Sequence, residues 1–391
     1  MTIHQDSTAV LEAVRTAVPV IRARGDEAEA RGRVPRETLR LLERAGVFRM
    51  AVPARFGGLD LPLAQQAEVV AEVARACPST GWNMTAWLTG TLMAGLYPDE
   101  AQKEVFDGGS VRVSLGFAPA GRLTRTEDGF ELTGRWGYNS GCHAADWDLL
   151  GAVLEGPDGT EEQFFALVPM ADLSIIDDWD VSAGSGTGSA TAVAERVFVP
   201  AHRLISYSGS LTGRTGERWN CDVPGRGYGA VAFVMSLYAT MTLGIARGAY
   251  ELFLERLPGR GITYTGWDDQ RRHPLVQQQV AAAANRITAG SALTDRVIAL
   301  QQERADAGVP LTDAERAQVR GQTAFVGELA KEAVQLLYSM SGGSVLKRSV
   351  PFQRYHRDIL GFTMHALTHL HPNLEVQGRV LLGLDPGSDI L

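Results

Sequence analysis

Hydrophobic residues recur every three or four positions through the N-terminal part of the chain. The segment VPRETLRLLERAGVF has this spacing, opens with a proline where a first helical turn tolerates one, and ends near Gly46. A second helical stretch, LAQQAEVVAEVARACPSTGWNMTAWLTGTLMAGLY, is interrupted at Cys77 and Pro78. We expect two helices there, with Ser79 or Thr80 capping the second.

The pattern changes to short alternating strands from about Ser110 to Leu204, with turns rich in Gly and Asp. The dipeptide Asp128-Gly129 between two alternating segments is typical of a β-hairpin. From about Tyr228 the pattern is helical again, and its long amphipathic runs indicate a helical bundle. We therefore expect three domains: a helical domain at 1–109, a β-sandwich or barrel at 110–215, and a helical domain at 216–391.

Composition limits the possible partners. The chain has 391 residues, 45% of them hydrophobic, and a formal net charge of -8 with scattered basic residues, which disfavours nucleic acid. We find no basic region followed by an apolar run and expect no membrane span, hence a cytoplasmic protein. Cys77, Cys142 and Cys221 are far apart and form no CxxC pair, which is typical of a reducing compartment and excludes a thiolate metal cage.

The segment GRWGYNSGCHAADW, residues 134–147, places a hydroxyl, an imidazole and several aromatic rings around one Ser-Gly turn. The preceding hairpin strand ends there, and loops at strand ends commonly carry function. For Ser140 alone, the favoured interpretation is an ordinary hairpin end, where a serine bonds its own backbone. The composition of the whole segment makes it a candidate active site.

The C-terminal run HALTHLH holds three histidines. His365 and His369 would share one side of a helix, and His371 follows closely. A metal site is disfavoured, because the run lacks the glutamate of an HExxH motif and has no cysteine nearby. A structural histidine is the favoured interpretation of His369.

Four segments in order resemble the acyl-CoA dehydrogenase superfamily over almost the whole chain: VPARFGG, the hairpin with its Ser-Gly end, WDVSAGSGTGSATAVAERVFVPAHR, and SMSGGSVLKRSVPFQRYHRD. The resemblance implies an α+β fold of the acyl-CoA dehydrogenase type, with an N-terminal helical domain, a central β domain and a C-terminal four-helix bundle. STGWN, SGCHAADW and QRYHRD are similar to flavin-dependent two-component monooxygenases. These include the para-hydroxyphenylacetate hydroxylase, dibenzothiophene monooxygenase and nitrososynthase types.

The position of a catalytic base separates the two chemistries. A dehydrogenase needs a carboxylate to remove a proton beside a thioester carbonyl. Neither family position for it holds one: residues 223–250 contain no Asp or Glu, and Ala366 stands nine residues beyond Arg357. His365 matches the histidine that the monooxygenases place beside the flavin. An acyl-CoA dehydrogenase-type enzyme and a non-catalytic ligand-binding relative remain as alternatives.

The resemblance implies that reduced FAD or FMN reacts with O2 to give a C4a-hydroperoxide that hydroxylates a small organic substrate. It assigns His365 and Ser140 as catalytic residues. The implied flavin-binding residues are Ser140, Gly141, Phe117, Trp136, Gly342, Gly343 and Arg357, and the implied substrate-binding residues are Trp82, His143 and His369.

Reducing equivalents must come from outside the chain, because GSGTGS at Gly184 and GRGYG at Gly225 lack the dinucleotide fingerprint. The implied partner is a separate NAD(P)H:flavin reductase, and the resemblance implies a homotetramer. The sequence leaves open FAD against FMN, the atom that is oxygenated, and the substrate, which is aromatic, indole-like, a polyketide or an amino sugar.

Overall fold

The N-terminal part is helical, as the spacing predicts. A computed structural model of the chain describes residues 3–212 and 224–388. The first six helices are α1 (Ile3–Ala23), α2 (Gly25–Arg31), α3 (Arg36–Arg44), α4 (Leu63–Ala76), α5 (Pro78–Ala94) and α6 (Asp99–Val105).

The break between α4 and α5 lies where the sequence places it. Pro78 occupies the first turn of α5, where its missing N–H is no loss. The predicted cap is wrong, however: the residue before the helix is Cys77, with no side-chain cap bond. The Ser79 hydroxyl instead donates to the buried carboxylate of Asp358 at 3.4 Å, so it ties α5 to a C-terminal helix.

In the part of the chain that the structure describes, seven strands form one mixed sheet: β1 (Val113–Arg125), β2 (Phe130–Trp136), β3 (Trp147–Glu155), β4 (Glu161–Pro169), β5 (Ser174–Ile176), β6 (Thr191–Val199) and β7 (Leu204–Ser206). Their order across the sheet is β5-β6-β2-β1-β3-β4-β7. The predicted hairpin at Asp128-Gly129 is confirmed, since β1 and β2 are antiparallel and pair Arg125 with Phe130. β1 and β3 run parallel. The end of β2 and the start of β3 flank the candidate turn along the chain.

The C-terminal part is helical again, with α7 (Tyr207–Thr212), α8 (Ala230–Arg256), α9 (Pro274–Asp306), α10 (Asp313–Ser339), α11 (Phe352–Phe362) and α12 (Leu370–Leu381). α8 is long and apolar enough to cross a membrane, which the sequence reading overlooked, but 89% of its apolar window is buried inside the protein. It is the core helix of a bundle and contacts α4, α5, α9, α10 and α11. The α+β fold class is therefore confirmed.

One prediction about the C-terminal run is wrong. His365 and His369 do not share a helix, because α11 ends at Phe362 and α12 begins only at Leu370. The residues between form a turn closed by the bonds from Thr368 N and His369 N to the carbonyl of His365, at 3.0 and 2.9 Å. The predicted domain boundary between 215 and 216, and Cys221, lie outside the described residues.

The largest apolar core joins the N-terminal helices to the C-terminal bundle, through side chains such as Val70, Phe233 and Tyr355. A second core joins α5, α6 and α8 to one face of the sheet, through Tyr97, Leu149 and Met235. α5 and α8 contribute to both cores. Residues of α5, α8 and the sheet that face a common site are consequently fixed in position by these two cores.

Candidate active site

A cavity of about 430 Å³ lies between α5, the first half of β1, the loop after β2, the start of α8 and the turn after α11. Most of its lining is apolar, with Met93, Leu115 and Val234 among the contributing side chains. Its volume is in the range of small-molecule sites. The sequence-predicted site residues that border it are Trp82, Phe117, Ser140 and His365.

Ser140 is fixed by neighbours from other parts of the chain. The indole Nε1 of Trp82 donates to Ser140 Oγ at 2.8 Å, and Ser189 Oγ lies 2.9 Å from the same oxygen. The carbonyl oxygen of Ser140 accepts a hydrogen bond from Ser114 Oγ at 3.3 Å. These contacts join Ser140 to α5, to β1 and to the loop before β6, which an ordinary hairpin end would not require.

Gly141 gives the turn its shape. Its φ is +74°, and a Cβ at this position would come within 2.6 Å of the Trp87 indole nitrogen, so both backbone and space require glycine. Two residues before Ser140, Tyr138 adopts φ +58° although it is not glycine, a conformation that costs about 1–3 kcal/mol. Gly141 itself does not border the cavity, whereas Tyr138 and Gly137 do.

A buried carboxyl lies behind the turn. The Asn139 side-chain amide donates to Asp148 Oδ2, and both residues are fully buried. Burial raises the pKa of Asp148 to about 7. Asp148 was not among the residues predicted from the sequence, although its position inside the apolar strand WDLLGAVLE was an available signal.

His365 faces the cavity from the opposite side. Its Nδ1 accepts the backbone N–H of Leu367 at 3.3 Å, so the neutral ring carries its proton on Nε2. The ring lies edge-on to Trp82, with 5.3 Å between centroids. Although His365 borders a cavity, the surrounding protein lowers the pKa of its imidazole. The ring is therefore neutral at neutral pH.

Trp82 connects the two sides of the cavity. Its ring stacks on Phe362 at the end of α11, with centroids 4.5 Å apart and planes 14° apart. Its Nε1 is spent on Ser140, so the ring has no further hydrogen to donate. Phe117 forms another wall, edge-on to Phe165 at 5.8 Å.

Trp136 does not border the cavity, contrary to the prediction. Its Nε1 donates to the carbonyl of Gly151 at 2.8 Å, and its side chain fills space left by three glycines, Gly116, Gly121 and Gly134. Successive strand residues point to opposite faces of a sheet. Trp136 thus belongs to the β core, and Gly137 is the residue that reaches the cavity.

His143 also lies away from the cavity. Its Nε2 is 2.8 Å from Asp177 Oδ1 on the outer side of the Ser-Gly turn. Burial lowers the pKa of this imidazole, while the Asp177 carboxylate acts in the opposite direction. A substrate-binding role is not favoured by this placement.

His369 precedes α12 and does not border the cavity, which ends at Thr368. Its ring lies 5.7 Å from that of His371, and its Nδ1 is buried without a hydrogen-bond partner. The predicted helical alignment with His365 fails because the intervening residues form a turn.

The other predicted flavin ligands lie outside this cavity. Gly342 and Gly343 follow α10, with Gly342 at φ +66° near Arg260. Arg357 bonds Glu29 and the Gln353 side chain, and borders a separate open depression of about 820 Å³. Their assignment to a flavin stays a prediction.

The ionisable residues that border the cavity are Tyr138, Tyr238, Arg320 and His365. No Asp or Glu of the described chain borders it. Over residues 3–212 and 224–388 no group of three His, Cys, Asp or Glu side chains is placed to hold a metal ion. Among residues 3–212 and 224–388, a carboxylate base of the dehydrogenase kind therefore has no candidate at this site.

Two family models match the chain. The N-terminal domain of acyl-CoA dehydrogenase matches residues 5–106, and the C-terminal domain of acyl-CoA dehydrogenase matches residues 236–370. Among curated relatives, an FADH2-dependent resorcinol hydroxylase oxygenase component from a Rhizobium strain is 29% identical, with 94% of this chain and 92% of the relative covered.

Among solved structures, XiaF from Streptomyces, determined with FADH2 and glycerol, has a TM-score of 0.92 at 29% identity and covers 99% of this chain and 98% of its own. A 3-HSA hydroxylase from Rhodococcus has a TM-score of 0.90 at 26% identity, with 98% of this chain and 99% of the other covered. The likeness extends over the helical parts and the sheet alike.

Proposed function

This chain belongs to the acyl-CoA dehydrogenase family, and we infer that it is the oxygenase component of a two-component flavin-dependent monooxygenase. One observation carries the inference: the cavity pairs Ser140 with a neutral imidazole, His365, and is bordered by no carboxylate of the described chain. A dehydrogenase needs such a carboxylate, whereas an oxygenase does not.

The residues around the cavity fit a reduced flavin. Phe117 and Trp82 offer flat apolar surfaces to a planar ring system. Ser140 Oγ and His365 Nε2 offer polar atoms from opposite sides, as a ring with polar edges requires. When bound, reduced flavin supplies the electrons that activate O2 for insertion of one oxygen atom into a substrate.

We assign His365 the task of donating a hydrogen bond into the cavity. With Nδ1 occupied by the Leu367 N–H, the neutral ring presents its Nε2 hydrogen to a ligand oxygen. Removal of a proton from the substrate would need the other tautomer, at the loss of that 3.3 Å bond. The turn before α12 leaves the ring accessible from the cavity.

We propose that the substrate is a small, largely apolar molecule, with an aromatic or indole ring as the favoured class. The lining side chains Met93, Leu115 and Val234 offer no hydrogen-bond donor, and their one acceptor is the weakly accepting sulfur of Met93. Two of the relatives, by their names, hydroxylate resorcinol and p-hydroxyphenylacetate, and a third is an indole-3-acetate monooxygenase. A polyketide or an amino sugar carries more polar groups than this mostly apolar lining can hydrogen-bond.

The proposal includes a separate NAD(P)H:flavin reductase that delivers reduced flavin, a cytoplasmic location and a homotetramer. A self-association surface is supported by apolar side chains left exposed on the C-terminal helices. They include Leu381 (78% exposed) at the end of α12, Leu382 (77%) directly after it, and Phe325 (44%) on α10. The two described cysteines, Cys77 and Cys142, are free thiols, as in a reducing compartment.

The test is isotopic. The protein, reduced FMN or FAD, and a panel of phenols and indoles are mixed with 18O2, and products are analysed by mass spectrometry. Incorporation of one 18O atom into a product establishes the oxygenase. Tight retention of oxidised flavin, with its reduction by an acyl-CoA thioester, would instead establish a dehydrogenase.

A further inference from the structure

A chain of hydroxyl groups runs from the cavity into the protein behind Ser140. Ser140 Oγ lies 2.9 Å from Ser189 Oγ, which lies 2.7 Å from Thr187 Oγ1. Thr187 Oγ1 in turn lies 2.8 Å from the carbonyl oxygen of Gly184. Each hydroxyl has a single hydrogen to donate, so the direction of one bond constrains the next.

The carbonyl of Gly184 fixes that direction, because a carbonyl oxygen can only accept. The Thr187 hydroxyl must donate its hydrogen to the Gly184 carbonyl, because the lone pairs of the two oxygen atoms would otherwise face each other at 2.8 Å and repel. Thr187 therefore accepts a hydrogen bond from the Ser189 hydroxyl. Because Ser189 has then donated its own hydrogen, it accepts a hydrogen bond from the Ser140 hydroxyl. All the hydrogens in the chain point away from the cavity.

The other contact of the Ser140 hydroxyl, with Trp82, also leaves Ser140 as an acceptor toward the cavity. The Trp82 indole can only donate, and it occupies one lone pair of Ser140 Oγ at 2.8 Å. The hydrogen of Ser140 is committed to Ser189. One lone pair is left at the cavity, so toward any ligand Ser140 is an acceptor and not a donor.

The Gly184 end of the chain is anchored. The backbone N–H of Gly184 donates to Asp358 Oδ1 at 2.7 Å, and Asn83 Nδ2 donates to the carbonyl of Thr187 at 2.9 Å. Gly184 and Gly188 adopt φ of +67° and +56°. This segment, GSGTGS, lacked a dinucleotide fingerprint in the sequence, and its glycines and hydroxyls serve this turn instead.

We propose that Ser189 and Thr187 are positioning residues that set the polarity of Ser140 and so make the site select reduced over oxidised flavin. The inference rests on the proposed function. The central ring nitrogen N5 carries a hydrogen in reduced flavin and only a lone pair in oxidised flavin. The proposal includes N5 lying against Ser140 Oγ, which borders the cavity. An acceptor there suits the first form and repels the second, worth roughly three- to tenfold in relative affinity.

The experiment uses whichever of FMN and FAD the wild type binds more tightly. It measures two dissociation constants for each protein, one for the reduced flavin under anaerobic conditions and one for the oxidised flavin in air, and takes their ratio. Ser189→Ala and Thr187→Val interrupt the chain of hydroxyl groups, so the hydrogen of Ser140 is no longer held by Ser189 and can point into the cavity. Each is expected to lower the preference for reduced flavin roughly three- to tenfold. Thr187→Ser keeps the hydroxyl and is expected to keep the wild-type ratio.

A matched control is Thr91→Val, which removes a buried hydroxyl of α5 that donates to the Trp87 carbonyl outside the chain. It should leave the ratio unchanged, and thermal unfolding confirms that each variant is folded. A wild-type ratio in both chain-breaking variants, or tighter wild-type binding of oxidised flavin, overturns this inference and leaves the monooxygenase assignment intact. Failure of the wild type to bind either flavin overturns both.

Discussion

The two sides of the cavity are built differently. On the sheet side, Ser140 is held through Trp82, Ser189 and Ser114, with Asn139 anchored on a buried carboxyl. On the helix side, His365 has one side-chain hydrogen bond of 3.3 Å and an edge contact with Trp82. The sheet side is pre-organised, which favours binding of a planar ligand in a fixed place. On the helix side, the His365 imidazole has few contacts and can adjust its orientation to the ligand.

His365→Ala removes the imidazole from the helix side of the cavity and should have the largest effect on product formation. Loss of one hydrogen-bond donor aimed at the reacting atoms typically costs a factor of about 10²–10³. We expect product formation to fall about 100-fold or more, with hydrogen peroxide released instead, while the thermal unfolding midpoint changes little. Product and peroxide are measured per flavin oxidised.

The matched control is His143→Ala, because His143 lies outside the cavity with Asp177 as its partner. Its product yield should match the wild type. Equal losses in both variants would remove His365 from the reaction and point to a general effect of losing a histidine.

Asp148→Asn tests how far the sheet side depends on a buried carboxyl. Burial raises the pKa of Asp148 to about 7, against an ordinary value of 3.8. Between these values the folded protein keeps a proton that the unfolded chain has lost, so this residue makes the wild type less stable as pH rises from about 4 to about 7, and adds no slope above it. The slope is at most about 1.4 kcal/mol per pH unit.

The variant lacks this slope, so the difference in free energy of unfolding should shift in its favour as pH rises through that window. Urea unfolding at several pH values compares the two proteins. Asp358, whose pKa burial raises to about 6, is present in both, and its contribution cancels. Parallel stability curves would show that Asp148 is not protonated in the folded state.

Ser140→Ala and Trp82→Phe weaken the sheet side at its surface. The first removes the acceptor, and the second keeps a ring against Phe362 but loses the Nε1 donor. Each should weaken reduced-flavin binding or hasten peroxide release, by roughly three- to tenfold for Ser140→Ala and less for Trp82→Phe. Unchanged kinetics in Ser140→Ala would remove Ser140 from the site.

The pH dependence of product yield should show the smallest effect. Because burial lowers the pKa of His365 from 6.5, the neutral ring persists at and somewhat below that pH. The yield should stay level above pH 6.5 and fall only below it, because protonation of Nδ1 breaks the bond from the Leu367 N–H that orients the ring. His365→Gln, which cannot titrate, should lack this acid limb, and an acid limb above pH 6.5 would be inconsistent with the assignment.

The sequence predicted what local patterns encode. Asp128-Gly129 marked the hairpin, and Pro78 marked the break between α4 and α5, because turn and proline chemistry act over a few residues. Trp136 was misplaced because alternation gives two faces without saying which one is the core. The HALTHLH turn was misread as helix because its spacing of histidines matches a helical repeat.

The support behind the site could not be predicted. Ser189, Thr187 and Asp358 meet only after the sheet and the helices have packed together. Ser189 is 49 positions from Ser140 along the chain, and no local pattern connects them. Such contacts depend on tertiary structure, and a single sequence carries only the hint that GSGTGS is rich in hydroxyls and glycines.

The most direct test of the account mixes the apoprotein with reduced FMN or FAD without oxygen, then adds oxygen and follows absorbance between about 350 and 500 nm, where flavin states differ. We predict a species with a band distinct from reduced and oxidised flavin, which persists in the wild type and is short-lived in His365→Ala. Direct conversion of reduced to oxidised flavin, at the rate of free flavin in both proteins and with substrate present, would contradict it.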